Sequence, residues 1–251
     1  MGAIARHRGT KAERLVFLDP NTLSENTDLI EQIEKASTRF VAQAIALFRD
    51  QAVSIFAAEK DLQADIGEDI TAEALDSLGM SRMAQRVFGK MDYKRARYIF
   101  EPDYAIRQVL LVDSKAEKAA DVARLQTSQT SMRIRQQRGG KNVDEPGKVP
   151  KVAVIANVPF ITTTIFVKYV YGQIDAANVL KKIVVACCPN GFLQDYYNPT
   201  PADTIWTGGP NSPKRGEAFR TRLSFSRLKA KRKWRVQTIS IEPASAFEWA
   251  D

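Results

Sequence analysis

Asp92, Asp113 and Lys115 are the residues whose types and spacing first suggest chemistry. Asp113 and Lys115 stand one residue apart at the end of an apolar run in QVLLVDSKAE, and Asp92 opens the preceding segment, MDYKRARYIF. Alternate residues of a strand share a face, so a strand here sets Asp113 and Lys115 side by side. A hairpin centred near Asp103 brings residue 92 opposite about residue 114. A one-residue adjustment of register puts Asp92 on the same face, opposite Asp113 or Lys115. Two carboxylates on adjoining strands can hold a Mg2+ that keeps several waters and accepts a phosphate oxygen. Such a metal acidifies a bound water and polarises the phosphoryl group. A neighbouring ammonium can orient the attacking water and offset charge developing on the phosphorane oxygens. The chemistry would be phosphodiester hydrolysis without histidine. The same charges also suit an edge-strand ion pair, Asp113 with Lys115 or Asp92 with Lys94. The apolar approach LLVDSK favours the chemical use, because charge at the end of a buried strand usually serves a purpose.

Other chemistries are excluded. The single histidine, His7, rules out His-rich zinc sites, histidine triads and HNH-type nuclease chemistry. Neither GxxxxGK[ST] nor GxGxxG after a strand occurs. Any metal should be hard and oxygen-liganded, such as magnesium. The two cysteines, Cys187 and Cys188, are adjacent in KIVVACCP, which reads as a buried strand rather than a disulfide. No apolar run reaches 18 residues and MGAIARHRGTKAERL lacks a signal-peptide core, so a cytoplasmic protein without a membrane span is expected.

Charge separates the two halves. Residues 1–125 carry 18 Lys and Arg against 20 Asp and Glu, a net of −2, whereas 126–251 carry 19 against 9, a net of +10. The densest stretch, 209–235, has ten basic residues and one acid, Glu217. Such a stretch is either a solvated face or a surface for a polyanion, most simply nucleic acid. Within it lies AFRTRLSF. As a strand it turns Phe219, Thr221, Leu223 and Phe225 to a core and Arg220, Arg222, Ser224 and Ser226 outward. Two exposed guanidiniums side by side cost free energy unless an anion is near, and arginine bonds guanine O6 and N7 bidentately in the major groove. They could equally bind phosphate. In the preceding loop Lys214 and Arg215 suit backbone contacts or loop positioning, and Ser212 a small polar contact to a base edge. KAKRKWR, 229–235, is read as phosphate-facing or solvated, and Trp206 and Trp234 as packing residues.

These residues need a scaffold. Apolar spacing predicts an irregular arm over 1–23 and then a long helix, capped by Ser24 or Thr27, running to about residue 62. That helix could serve an oligomer surface or the protein's own core. GEDITAEALDSLG predicts a short helix over 67–79, with Glu68 and Asp69 in its first turn. No catalytic role is assigned to either acid. Strands follow at 91–100 and 106–113, then a helix at 116–125 and a loop at 136–148. Strands recur at 151–158, 161–171 and 182–188, a short helix falls in NGFLQDYYN, and final strands lie in AFRTRLSF and WRVQTISIE. The mixture is α/β, with helices packed on a mixed sheet. One domain over 1–251 is expected: the arm, a helical part over 24–79, a catalytic core over 89–188, and a DNA-recognition loop and strands over 199–241.

The spacing D-x20-D-S-K resembles the PD-(D/E)xK nuclease motif. MDYKRARY followed by QVLLVDSKAE is closely similar to the catalytic hairpin of the SfiI-type restriction endonucleases. SIFAAEK, EDITAEAL, ITTTIFVKYVY, YNPTPADT and SPKRGEAFRTRLSFSRLK extend the likeness, in order, from about residue 44 to 229. The resemblance implies a restriction-endonuclease-like core and a type II enzyme that cuts both strands of double-stranded DNA with Mg2+. It implies that Asp92, Asp113 and the Ser114 backbone carbonyl bind the metal, that Lys115 completes the catalytic set, and that Arg220 and Arg222 read guanines. It further implies a homotetramer engaging two sites, interrupted GC-rich palindromes with GGCC half-sites, and 3′ overhangs. Met91 replaces the proline that often precedes the first aspartate, and residues 126–157 and both termini match less well. Pro210 stands where a basic residue is expected, which bears on specificity more than on cleavage. The alternatives are a repair or junction nuclease of the same superfamily and a DNA-binding protein without hydrolytic activity.

Overall fold

The computed structural model describes residues 18–58, 63–80, 82, 96–101, 106–118, 121–175, 177–209, 219–242 and 245–251. Its centre is a mixed sheet. Strands β1 (Ala96–Glu101), β2 (Ile106–Glu117), β7 (Val158–Ile174), β8 (Ala177–Cys188) and β11 (Val236–Ser240) lie in that order, with β6 (Val152–Ile155) paired to the start of β7. β2 and β7 run parallel, and the other neighbours are antiparallel. Central strands covered on both faces need near-continuous apolar or β-branched residues, and ITTTIFV in β7 and IVVACC in β8 supply them.

Each face of the sheet has its own cover. Leu110, Val112, Ile165, Val167, Ile183 and Val185 pack under the helices α1 (Thr27–Leu47), α2 (Arg49–Ala58) and α3 (Gln63–Ser77). Phe166, Val184 and Ala186 meet a smaller three-stranded sheet, β3 (Val122–Gln126), β10 (Arg220–Ser224) and β9 (Trp206–Thr207), together with α4 (Gln194–Tyr197) and α5 (Phe225–Lys231). Beside this small sheet stands a hairpin of β4 (Ile134–Arg138) and β5 (Lys141–Glu145). Trp206 and Trp234 are both buried, as packing residues should be. Cys187 and Cys188 are buried free thiols on β8, and burial pushes Cys188 up to about 12. Among the described residues no single helix is long and apolar enough to cross a membrane.

Several expectations need correction. The helix expected at 116–125 is absent: β2 continues to Glu117 against Val170, and β3 pairs Leu125 with Thr221 and Ala123 with Leu223. Helix-favouring AEKAADVARL yields to partners far away in sequence, which local propensity cannot register. The loop expected at 136–148 is mostly the β4–β5 hairpin. Gly139 and Gly140 turn it with φ of 55° and 75°, the left-handed pair that a tight hairpin turn demands. The long helix bends by 57° at Phe48 into α1 and α2, with both pieces facing one core so that the apolar period runs on across the break. Its cap is Asn26, whose side chain accepts from the Leu29 amide at 3.1 Å. α3 starts at Gln63, so Glu68 and Asp69 lie beyond its first turn. β10 ends at Ser224, which caps α5, so Phe225 begins a helix rather than ending a strand.

Candidate active site

β2 is fixed from behind. Along β2, residues 110, 112, 114 and 116 face the helices, and 109, 111, 113, 115 and 117 face the other way. On the helix side Ser114 donates to Thr71 at 2.7 Å, and Thr71 meets the Tyr169 hydroxyl at 2.9 Å. α3 can approach this closely because residue 67 is glycine, where an added Cβ would lie 3.1 Å from the Tyr169 ring. Burial drives the Tyr169 phenol well above its usual range, so it stays a neutral hydroxyl.

On the opposite face Asp113 is only 5% exposed. Its Oδ2 lies 2.6 Å from Lys115 Nζ, and its Oδ1 accepts from Gln129 Nε2 at 2.9 Å. The strand alternation expected from the sequence therefore brings Asp113 and Lys115 together. Lys115 stands in register with Lys168 of β7. The Lys168 side chain is fully buried, its Nζ 2.8 Å from Glu117 Oε2 and bonded also to the Val122 carbonyl. Burial pulls the Lys168 pKa down, and Glu117 opposes that pull. Two ammoniums on adjoining strands are tolerable because each has a carboxylate of its own on β2.

Asp92 lies outside the described residues. The described part of the adjoining ladder pairs Ala96 with Leu111 and Glu101 with Ile106 and does not extend to residue 92. Asp69 is exposed and Glu68 half-buried on α3. Among the described residues no group of three or more His, Cys, Asp or Glu could by itself hold a metal.

The basic strand follows alternation from Arg220 to Leu223 but not at Ser224, expected outward, which is buried because it caps α5. Thr221 and Leu223 are buried, Thr221 donating to Gln136 Oε1 at 2.7 Å, while Arg220 and Arg222 are half-buried on the other face. A third guanidinium joins them. Arg138 of β4 donates to the Arg220 carbonyl at 2.5 Å and sits 4.9 Å from the Phe219 ring centroid. Burial, and then Arg222, lowers its pKa. The Arg222 guanidinium lies directly against Gly209, where any Cβ would overlap it. Ser212, Lys214 and Arg215 fall outside the described residues. Part of KAKRKWR departs from expectation: Arg235 is fully buried, 2.7 Å from Glu34 Oε2 and 3.0 Å from Glu31 Oε1, with its Nε donating to Tyr197 at 2.5 Å. It clamps α1 to the end of β8 and cannot face phosphate. Its apolar neighbour Trp234 was the only local sign of an inward turn.

The chain superposes on two solved restriction endonucleases. One is the tetrameric restriction endonuclease SfiI bound to cognate DNA, with a TM-score of 0.77 and 33% identity over 88% of this chain and 87% of that one. The other is BglI bound to its DNA recognition sequence, at 0.72 and 16% identity over 89% and 94%, a likeness of fold. The architecture is thus that of the restriction endonucleases, α/β with a mixed sheet flanked by helices. The family described as type II restriction enzyme SfiI matches residues 30–239, and the SfiI enzyme of Streptomyces fimbriatus is 34% identical over 242 residues, 89% of this chain and 90% of its own length. The chain belongs to the SfiI family of type II restriction enzymes, and so to the deoxyribonucleases.

Gln129, Lys168, Glu117 and Arg138 were not singled out in the sequence. Gln129 and Arg138 lie in 126–157, where the family likeness is weakest. Lys168 sits in the strand expected at 161–171 and Glu117 in the helix expected at 116–125, and only the extension of β2 in parallel register with β7 brings them together.

Proposed function

We propose that the chain is a cytoplasmic, Mg2+-dependent restriction endonuclease that forms a homotetramer and cuts double-stranded DNA at an interrupted GC-rich palindrome with GGCC-type half-sites. The chain acts as a single endonuclease domain over 1–251. The observation that carries this reading is the Asp113–Lys115 pair at the end of a buried strand. The carboxylate already holds a cation at 2.6 Å, and its hard oxygen donors suit magnesium. Asp113, Asp92 and the Ser114 backbone carbonyl would hold the ion. Bound there, it would supply an acidified water and a polarised phosphate.

The chain's own residues do the rest. Lys115, beside Asp113, would orient the attacking water and offset charge on the phosphorane. Lys168 and Glu117 neutralise each other, so the ammonium next in register does not compete for Asp113. Arg220 and Arg222 read guanines bidentately, Ser212 touches a base edge, and Lys214 and Arg215 contact the backbone.

The test is digestion of a long GC-rich DNA in Mg2+, with sequencing of every end. Discrete ends at interrupted GGCC-like sites support the proposal and map the site. Scattered or structure-dependent ends would turn the assignment to a repair or junction nuclease. Asp113→Ala and Lys115→Ala should each lower cleavage at least about 1,000-fold, the scale expected for removing an essential catalytic group. Both should leave binding of the mapped duplex largely intact. Unchanged cleavage in either variant would overturn the mechanism.

A further inference from the structure

One polar chain joins the arginine strand to Asp113. Arg220 on β10 pairs with Gln126 on β3. The Gln126 amide donates to Gln129 Oε1 at 3.0 Å, Gln129 Nε2 donates to Asp113 Oδ1 at 2.9 Å, and Asp113 Oδ2 meets Lys115. The orientation of the Gln129 amide is dictated by its partners: an ionised carboxylate only accepts, and a backbone N–H only donates. Capping the turn at Thr127–Gln129 needs only the carbonyl end. The amide end is committed to the carboxylate.

The turn is anchored around this side chain. Lys148 N donates to the Thr127 carbonyl at 2.8 Å and Val149 N to the Thr130 carbonyl at 3.1 Å, while Thr130 Oγ1 contacts Cys188 Sγ at 3.4 Å. Gly147 lets the return chain close on the turn, since a Cβ there would overlap the Thr130 and Met132 carbonyl oxygens. With the turn held, a shift of β10 that moves Gln126 is passed to the Gln129 amide and so to the rotation of the Asp113 carboxylate.

We propose that Gln129 is a positioning residue that couples engagement of the reading strand to the metal-binding orientation of Asp113. The inference rests on the nuclease assignment above and goes beyond it in saying how recognition is passed to the site. Coupling between two binding events is reciprocal, so a divalent ion must tighten specific DNA binding by the factor by which DNA tightens ion binding.

The test uses the full chain and a duplex carrying the mapped site, with dissociation constants measured in Ca2+, as a probe that avoids turnover, and in EDTA. The wild type should bind about tenfold more tightly in Ca2+, within the usual range of such couplings. In Gln129→Met, which keeps the side chain's length, and in Gln129→Ala, the tightening should fall below about twofold. Binding in EDTA and the unfolding midpoint should stay close to wild type. Full Ca2+ tightening in a folded variant would overturn the inference. So would loss of EDTA binding in folded variants, which would make Gln129 part of DNA reading itself. Absence of specific binding by the wild type would overturn the nuclease assignment, and this inference with it.

Discussion

In Gly209→Ala the added methyl group would overlap the Arg222 guanidinium, and even Nη2 would lie only 2.8 Å from it. The obstructing atoms are the far end of a flexible side chain, so the fold yields by swinging Arg222 away. Stability should change by less than about 1 kcal/mol, as for other substitutions that avoid the core. Recognition should not be spared. A bidentate arginine–guanine contact discriminates by about 1–3 kcal/mol, so misplacing it should cost roughly 5- to 150-fold in preference for the cognate duplex. Binding to unrelated duplex and its salt dependence should barely change, because phosphate contacts carry those. The assay is competition binding in Ca2+ between the mapped duplex and one with a half-site guanine replaced, beside urea unfolding. Gly209→Ala should match Arg222→Ala in discrimination, and the double variant should lose no more than either alone, since both remove one contact. Wild-type discrimination by folded Gly209→Ala would refute the placement of Arg222 as a base reader.

Lys168→Met leaves Glu117 largely buried with only Arg124, 3.9 Å away, as a described ion partner; urea unfolding should show a loss of about 2–3 kcal/mol, below the 3–5 typical of a fully buried broken pair because Glu117 keeps some solvent. Gly147→Ala forces a methyl into two backbone carbonyls that cannot swing away, so a loss of about 3 kcal/mol is expected, measurable by thermal or urea unfolding. Burial raises the Glu34 carboxyl from 4.5 to about 7 despite Arg235. A raised carboxyl contributes stability that is full below its unfolded value and lost as pH rises through its folded one. Between pH 5 and 8 the wild type should therefore lose stability relative to Glu34→Gln, which cannot ionise. Parallel stability curves for the two proteins would contradict this.

The parts legible in the sequence were those set by local periodicity. LLVDSK declared a buried strand ending in charge, and alternation alone set Asp113 beside Lys115. In RTRLS it separated Thr221 and Leu223 from Arg220 and Arg222. What stayed hidden depends on partners distant in the chain. VARLQ looks helical until β10 pairs with it. Gln129 looks like a turn residue until the fold carries it to a carboxylate 16 positions earlier. Arg235 continues a basic run by composition, and only the three-dimensional position of Glu34, 201 residues before it, explains its burial. Lys168 is unremarkable inside a β-branched strand until the parallel ladder sets it next to Lys115.

Arg220 and Arg222 stand on a small sheet that shares no strand with the sheet bearing Asp113. Thr221 and Leu223 are buried beneath that small sheet, and Arg220 and Arg222 are half-buried on its other face. If Arg220 and Arg222 read bases as proposed, the cutting edge and the address label are carried on separate pieces. Replacing those two side chains would then change the target sequence without disturbing the buried strand that carries Asp113. On the proposed coupling, the polar link through Gln129 is where the two pieces meet, because a new address would still have to be reported to the same carboxylate.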